Sequence, residues 1–208
     1  PLCTPSRVKL MTGQYNFRNY QHFGYLDRGE TTFAHVLGES GYATAVIGKW
    51  QLFDNRFEDI AGALPVDAGF DEYVLWQLTS EQKGSRYWTP LIDHDGDVRQ
   101  YGDGVFGPDV LNQAALDFIE ANRERPFFLY YPMVLPHDPF VTTPDMRDES
   151  AGDQRRFAAM VAYMDKCVGR VVDQGLVGLM DDGGKYRDRA LRNGAEDDFL
   201  VESPELLD

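Results

Sequence analysis

The sequence holds only two cysteines, Cys3 and Cys167, and four histidines in 208 residues. Two cysteines build neither a disulfide framework nor a zinc site. Basic side chains are also scarce: 20 Lys and Arg stand against 34 Asp and Glu, for a net charge of -14. That balance excludes the Lys/Arg footprint that nucleic acid requires. No apolar run is long enough to span a bilayer, and no signal-peptide pattern is present. The chain opens on Pro1 rather than Met, so the expectation is a soluble segment, and the missing leader says nothing about export. What is present is ordinary for a globular protein, with 43% hydrophobic and 26% charged residues, and suits one domain with a substantial core.

The charge is unevenly spread. Residues 1–50 carry 5 basic and 3 acidic groups, against 15 and 31 in the remainder. Any anion is therefore expected to be handled mainly by the first stretch. Helical periodicity predicts a helix opened by Thr4 and Pro5 and closed by Gly13, and a second capped by Thr32. A buried strand is expected over Ala43 to Ile47. A longer helix from Asp109 places Leu111, Ala115, Phe118 and Ile119 on one face, and an apolar strand follows Pro126. The last strong helix, Gln154 to about Gln174, aligns Phe157, Met160, Val161, Met164, Val168, Val171 and Val172. Helices alternating with apolar strands indicate an α/β fold, a mostly parallel sheet with helices on both faces. Residues 51–108 are too long for a simple connection and read as an excursion over the strand ends, where such sheets bind ligands. Within it, Asp93-His94-Asp95-Gly96-Asp97 reads as a hairpin turn. It lacks the Gly and Glu an EF-hand needs at its sixth and twelfth positions.

The residues that carry chemistry begin with Cys3-Thr4-Pro5-Ser6-Arg7. A cysteine just before a helix N-terminus faces free backbone N–H groups and the positive end of the dipole, which suits an anion. A lone cysteine is more often a small buried hydrophobe. Yet four fixed letters at ~5% usage each arise by chance in roughly one chain per thousand of this size, so the bland reading does not account for the flanks. The motif resembles the signature of the type I, formylglycine-dependent sulfatases of the alkaline phosphatase superfamily, Cys-x-Pro-Ser-Arg followed by a short helix ending in Leu-Thr-Gly. Leu10-Met11-Thr12-Gly13 is similar to that ending. A second family signature, Gly-Tyr-x-Thr-x-x-x-Gly-Lys-Trp, is matched by Gly41 to Trp50. Shorter matches follow in order: Gly69-Phe70-Asp71, Pro126 to Tyr130, Pro136-His137-Asp138-Pro139, and Met164-Asp165 with Val168-Gly169. The resemblance covers residues 1 to about 182.

It implies an incomplete catalytic domain over residues 1–182, a weakly structured tail over 183–208, and hydrolysis of small-molecule or carbohydrate sulfate esters. In such enzymes a formylglycine-generating enzyme oxidises the motif cysteine, here Cys3, to an aldehyde. Its hydrate attacks sulfur through one hydroxyl and releases sulfate through the other, a two-step covalent route. By the same resemblance Arg7 holds the charge of the nucleophile, Lys49 binds a sulfate oxygen, and His137 binds sulfate and protonates the leaving group. Ca2+ is the implied metal, with Mg2+ as the alternative, and Cys3 as formylglycine is one ligand. The other ligands are expected outside this chain, because the family's upstream aspartate pair precedes the cysteine. Asp181 and Asp182 are not assigned, since no apolar strand follows them.

One departure lies in the site itself. The family commonly carries His two residues after the lysine, where this chain has Gln51. Glutamine can hydrogen-bond sulfate but is no acid, so proton transfer falls to His137 or Lys49. Two other readings stay open: a phosphonate- or phosphate-ester hydrolase of the same superfamily, and a truncated chain without catalysis. The family resemblance leads to the expectation of a periplasmic, secreted or lysosome-like compartment.

Overall fold

A computed structural model of the chain describes residues 2–53, 61–79 and 81–179, the last four through their backbone alone. Asp181, Asp182 and the 183–208 segment lie outside the described residues.

The elements run in the order α1 (Cys3–Thr12), α2 (Phe33–Glu39), β1 (Ala43–Lys49), a 3-10 turn (Val66–Ala68), β2 (Glu72–Trp76), β3 (Leu91–His94), β4 (Asp97–Gln100), α3 (Gly107–Asn122), β5 (Phe127–Tyr130) and α4 (Asp153–Leu179). The sheet order is β4-β3-β2-β1-β5. β1 pairs in parallel with both β2 and β5, while β2–β3 and β3–β4 are antiparallel. β3 therefore runs against the direction shared by the other four strands. The mostly parallel sheet expected from the sequence is present, and the 51–108 stretch supplies three of its strands rather than merely crossing over it.

β1 is the axis of the fold. All seven of its residues are buried, as a strand covered on both faces must be. Ala43, Ala45 and Ile47 face a core made with Leu111, Ala115 and Phe118 of α3 and with Met160, Tyr163 and Cys167 of α4. Val46 points the other way, into a second core with Val8 and Met11 of α1 and Ala34 of α2. This alternation is the period-2 geometry of a strand at work.

Local signals account for most boundaries. Thr32 caps α2, its hydroxyl accepting from the Ala34 and His35 amides. Gly13 ends α1 in the left-handed conformation, and Asp95 and Gly96, both at positive φ, turn β3 into β4. In α4 the buried stripe is Met160, Tyr163 and Cys167, whereas Phe157, Val161, Val168 and Val172 are exposed. Apolar periodicity placed these last four inward. Instead, the packed face centres on the positions that reach β1 and α3.

Candidate active site

The carboxyl ends of β1 and β5 meet the first turns of α1, and this is where Cys3 sits. α1 begins at Cys3 after an extended Leu2, with no side-chain cap. The expected cap, Thr4, lies inside the first turn and is fully buried. Its hydroxyl accepts from the Gly24 amide at 2.9 Å and donates to the Gln51 carbonyl at 3.3 Å. Two buried backbone groups that need partners thus take the hydroxyl away from capping. The result ties the helix start to the chain just beyond Lys49. Pro5 falls in the first turn, where its missing N–H removes no helical bond.

Lys49 ends β1 and is only 8% exposed. Its Nζ donates to Cys3 Sγ at 3.6 Å, and its amide donates to the Pro132 carbonyl at 2.9 Å. Burial lowers the ammonium pKa; Cys3 opposes that shift, and the nearby Arg7 and Arg86 add to it. Arg7 lies one helical turn beyond Cys3 on the same face. Its Nη1 donates to the Lys49 carbonyl at 2.7 Å, and the side chain also hydrogen-bonds Tyr130 at the end of β5. Cys3, Arg7 and Lys49, which are 46 residues apart in sequence at their widest, therefore form one contact group. In this group Arg7 Nη1 holds the lysine-bearing strand end, while its Nε is buried without a hydrogen-bond partner.

Gln51 lies two residues further on, at a φ of 58°. Its side-chain oxygen is buried without a hydrogen-bond partner. His137 is not hydrogen-bonded to Cys3 or Lys49. Its Nδ1 lies 2.9 Å from Asp138 Oδ1, and its ring is 44% exposed. The loop that carries it is held by the Tyr87 hydroxyl, which donates to the carbonyls of Val134 and His137. Burial pushes that phenol up to about 12, so it is a fixed donor at any physiological pH.

Sequence reasoning missed Arg86. Its guanidinium stacks over Trp76 at 4.0 Å, and Trp76 is the register partner of Lys49. Arg86 interacts electrostatically with Asp138 and Cys3, which favour its charge, and with Lys49. It belongs to no motif, and only the folding of the 51–108 excursion brings it to the strand ends. Several letters of the second signature have structural tasks instead. The Thr44 amide and hydroxyl both donate to Asp71 Oδ2 at the start of β1, and the same hydroxyl accepts from the Asp71 amide, while the fully buried Trp50 donates to the Ala63 carbonyl at 2.8 Å.

The expected Ca2+ or Mg2+ asks for a shell of carboxylate and carbonyl oxygens. Among the described residues no three His, Cys, Asp or Glu side chains stand close enough together to hold a metal. Among the described residues, Lys49 contacts Cys3 and Arg86 interacts with it electrostatically, with Arg7 one helical turn away. This donor set fits an anion and does not by itself fit the metal. Among the described residues no helix is long and apolar enough to cross a membrane.

The chain as a whole is similar to several known proteins. Arylsulfatase G of Rattus norvegicus is 29% identical over 210 residues, covering 83% of this chain and 39% of that protein. The N-acetylglucosamine-6-O-sulfatase of Bacteroides thetaiotaomicron is 27% identical over 150 residues, covering 69% of this chain and 24% of that protein. The chain thus spans less than half the length of these relatives. The crystal structure of Ps i-CgsB superimposes with a TM-score of 0.67 at 24% identity, over 86% of this chain and 45% of the other, a likeness of fold. The family model described as Sulfatase matches residues 1–180. By that match, which spans both signatures and all the elements described above, the chain belongs to the sulfatase family.

Proposed function

We propose that the protein to which this chain belongs hydrolyses sulfate esters, with Cys3 converted to formylglycine as its nucleophile. The observation that carries this reading is the contact of Lys49 Nζ with Cys3 Sγ, 3.6 Å apart at the start of a helix. Cys3 Sγ stands where the oxygens of the hydrated aldehyde would be. That group supplies a hydroxyl to attack sulfur and a second to release sulfate. Lys49 places a buried positive charge where charge develops, a setting in which electrostatic stabilisation is strongest. Arg7 fixes the Lys49 carbonyl and hence the direction of the lysine. His137, whose Nδ1 is turned to Asp138, leaves Nε2 as the ring nitrogen available to the leaving group. The relative named for N-acetylglucosamine 6-O-sulfate and the one named an arylsulfatase support a carbohydrate or aryl sulfate ester as substrate.

Conversion is tested by mass spectrometry of the peptide containing Cys3 to Arg7, after co-expression with a formylglycine-generating enzyme. The expected result is a partial replacement of the thiol by an aldehyde. Unmodified cysteine alone, under conditions that convert a known substrate protein, removes the mechanism. Hydrolysis of 4-nitrophenyl sulfate by the converted full-length protein tests the activity itself.

The role of His137 has its own signature. His137→Ala is expected to lower kcat by roughly a hundredfold or more for esters with poor leaving groups, and by much less for aryl esters with good ones. Equal losses on both kinds would assign His137 to sulfate binding alone.

A further inference from the structure

Arg86 is held more firmly than surface packing explains. Its loop is anchored where Trp76 Nε1 donates to the Gly84 carbonyl at 3.0 Å. On the far side, Gly107 lies so close to the Arg86 carbonyl that a Cβ there would come within 2.2 Å of it. The next residue, Tyr87, is bonded to the His137 loop. The guanidinium therefore has a defined position, with its face on the Trp76 indole. A stacked guanidinium keeps its N–H groups for partners in its own plane. Yet Nη1 is buried and has no hydrogen-bond partner, a costly state for a charged donor. Stacking on Trp76 explains where the side chain lies; it does not explain why a buried N–H is left unpaired beside Lys49 and Cys3. A ligand carrying oxygen acceptors and negative charge would complete the arrangement.

We propose that Arg86 is a substrate-binding residue, its buried Nη1 donating to an oxygen of the sulfate group held over Cys3. The assignment rests on the sulfate-ester reading and makes Arg86 the second cation, with Lys49, to touch the transferred group. Arg7 bonds the Lys49 carbonyl and Tyr130 and differs from Arg86 in that anchoring, though its Nε is also buried without a partner.

The test titrates inorganic sulfate into the full-length protein by calorimetry at constant ionic strength, with tryptophan fluorescence as the second readout because Trp76 lies under the guanidinium. Arg86→Gln is expected to weaken sulfate binding by about tenfold or more, the loss of one charge-assisted hydrogen bond, and to reduce the rise in melting temperature that sulfate produces. Arg86→Lys, which keeps the charge but not the planar fork, is expected to lose about threefold or more, and carries the test should the glutamine variant not fold. A sulfate Kd equal to the parent's in either folded variant, with or without a lowered melting temperature, overturns the proposal and leaves Arg86 a packing residue. Absence of sulfate binding by the parent overturns it as well. Arg86-dependent sulfate binding in a protein that turns over no sulfate ester would uphold the anion site and reject the enzymatic reading.

Discussion

Lys49→Met is expected to make the protein more stable and almost inactive. In the full-length converted enzyme, kcat/KM for 4-nitrophenyl sulfate should fall by roughly a hundredfold or more, the range seen when a preorganised charge is removed from a site. In the unconverted thiol form the same substitution should raise stability at neutral pH by about 0.5–2 kcal/mol, as removing strained functional groups commonly does. The cause is that burial disfavours the Lys49 ammonium, with Arg7 and Arg86 adding repulsion and only Cys3 opposing. The pH dependence follows from the sign of the shift. Because the folded-state pKa lies below the ordinary lysine value of 10.5, the folded state binds this proton less tightly than the unfolded chain does. The penalty is therefore fully present below the lowered value and disappears as pH rises towards 10.5. The stability gap between Lys49→Met and the parent should accordingly be widest near neutrality and narrow in alkali. Thermal melts of both proteins across pH check this. A variant that melts below the parent at pH 7 would show that the Cys3 contact outweighs desolvation, and that the lysine is a structural residue.

Gly48→Ala should be strongly damaging. Gly48 has a φ of 130°, and a Cβ there would lie 2.3 Å from the Pro132 carbonyl oxygen and 2.9 Å from its carbon. Both are backbone atoms with nowhere to swing. The same carbonyl accepts the Lys49 amide at 2.9 Å, so relief of the clash must move the residue that faces Cys3. Overpacking and backbone strain together predict a loss on the order of 3 kcal/mol or more. Gly13→Ala is the control. Its φ of 67° is also left-handed, but a Cβ there meets nothing within 4 Å, so only the conformational cost of about 1 kcal/mol applies. Urea denaturation of the two variants measures the difference. Equal midpoints would mean that the Pro132 segment yields easily and that Gly48 does not set the position of Lys49.

The two predictions concern adjacent residues of one signature, and they show what such a motif records. In the stretch from Gly41 to Trp50, Lys49 faces Cys3. Gly48 admits the neighbouring backbone, Thr44 ties the strand to Asp71, and Trp50 fills the core. Most of these letters answer packing constraints, and the lysine proposed to act on the ester is legible only because the others surround it.

Determined by the sequence alone were those features that depend on near neighbours or on spacing along one element. These include the Thr32 cap, the Gly13 stop, the hairpin at Asp95-Gly96, the continuous apolar run of β1, and the placing of Arg7 one turn from Cys3. Each follows from local sterics, capping or periodicity, which short stretches carry in full. Only the tertiary structure decided that Thr4 bonds the Gln51 carbonyl and the Gly24 amide instead of capping its helix, that α4 buries Tyr163 and Cys167 in place of Val161 and Val168, and that Arg86 comes to rest on Trp76 beside Lys49. In each case the deciding partner lies far away in the chain. A buried donor, acceptor or charge is satisfied by whatever the fold brings within 3 to 4 Å, and no periodicity encodes that meeting.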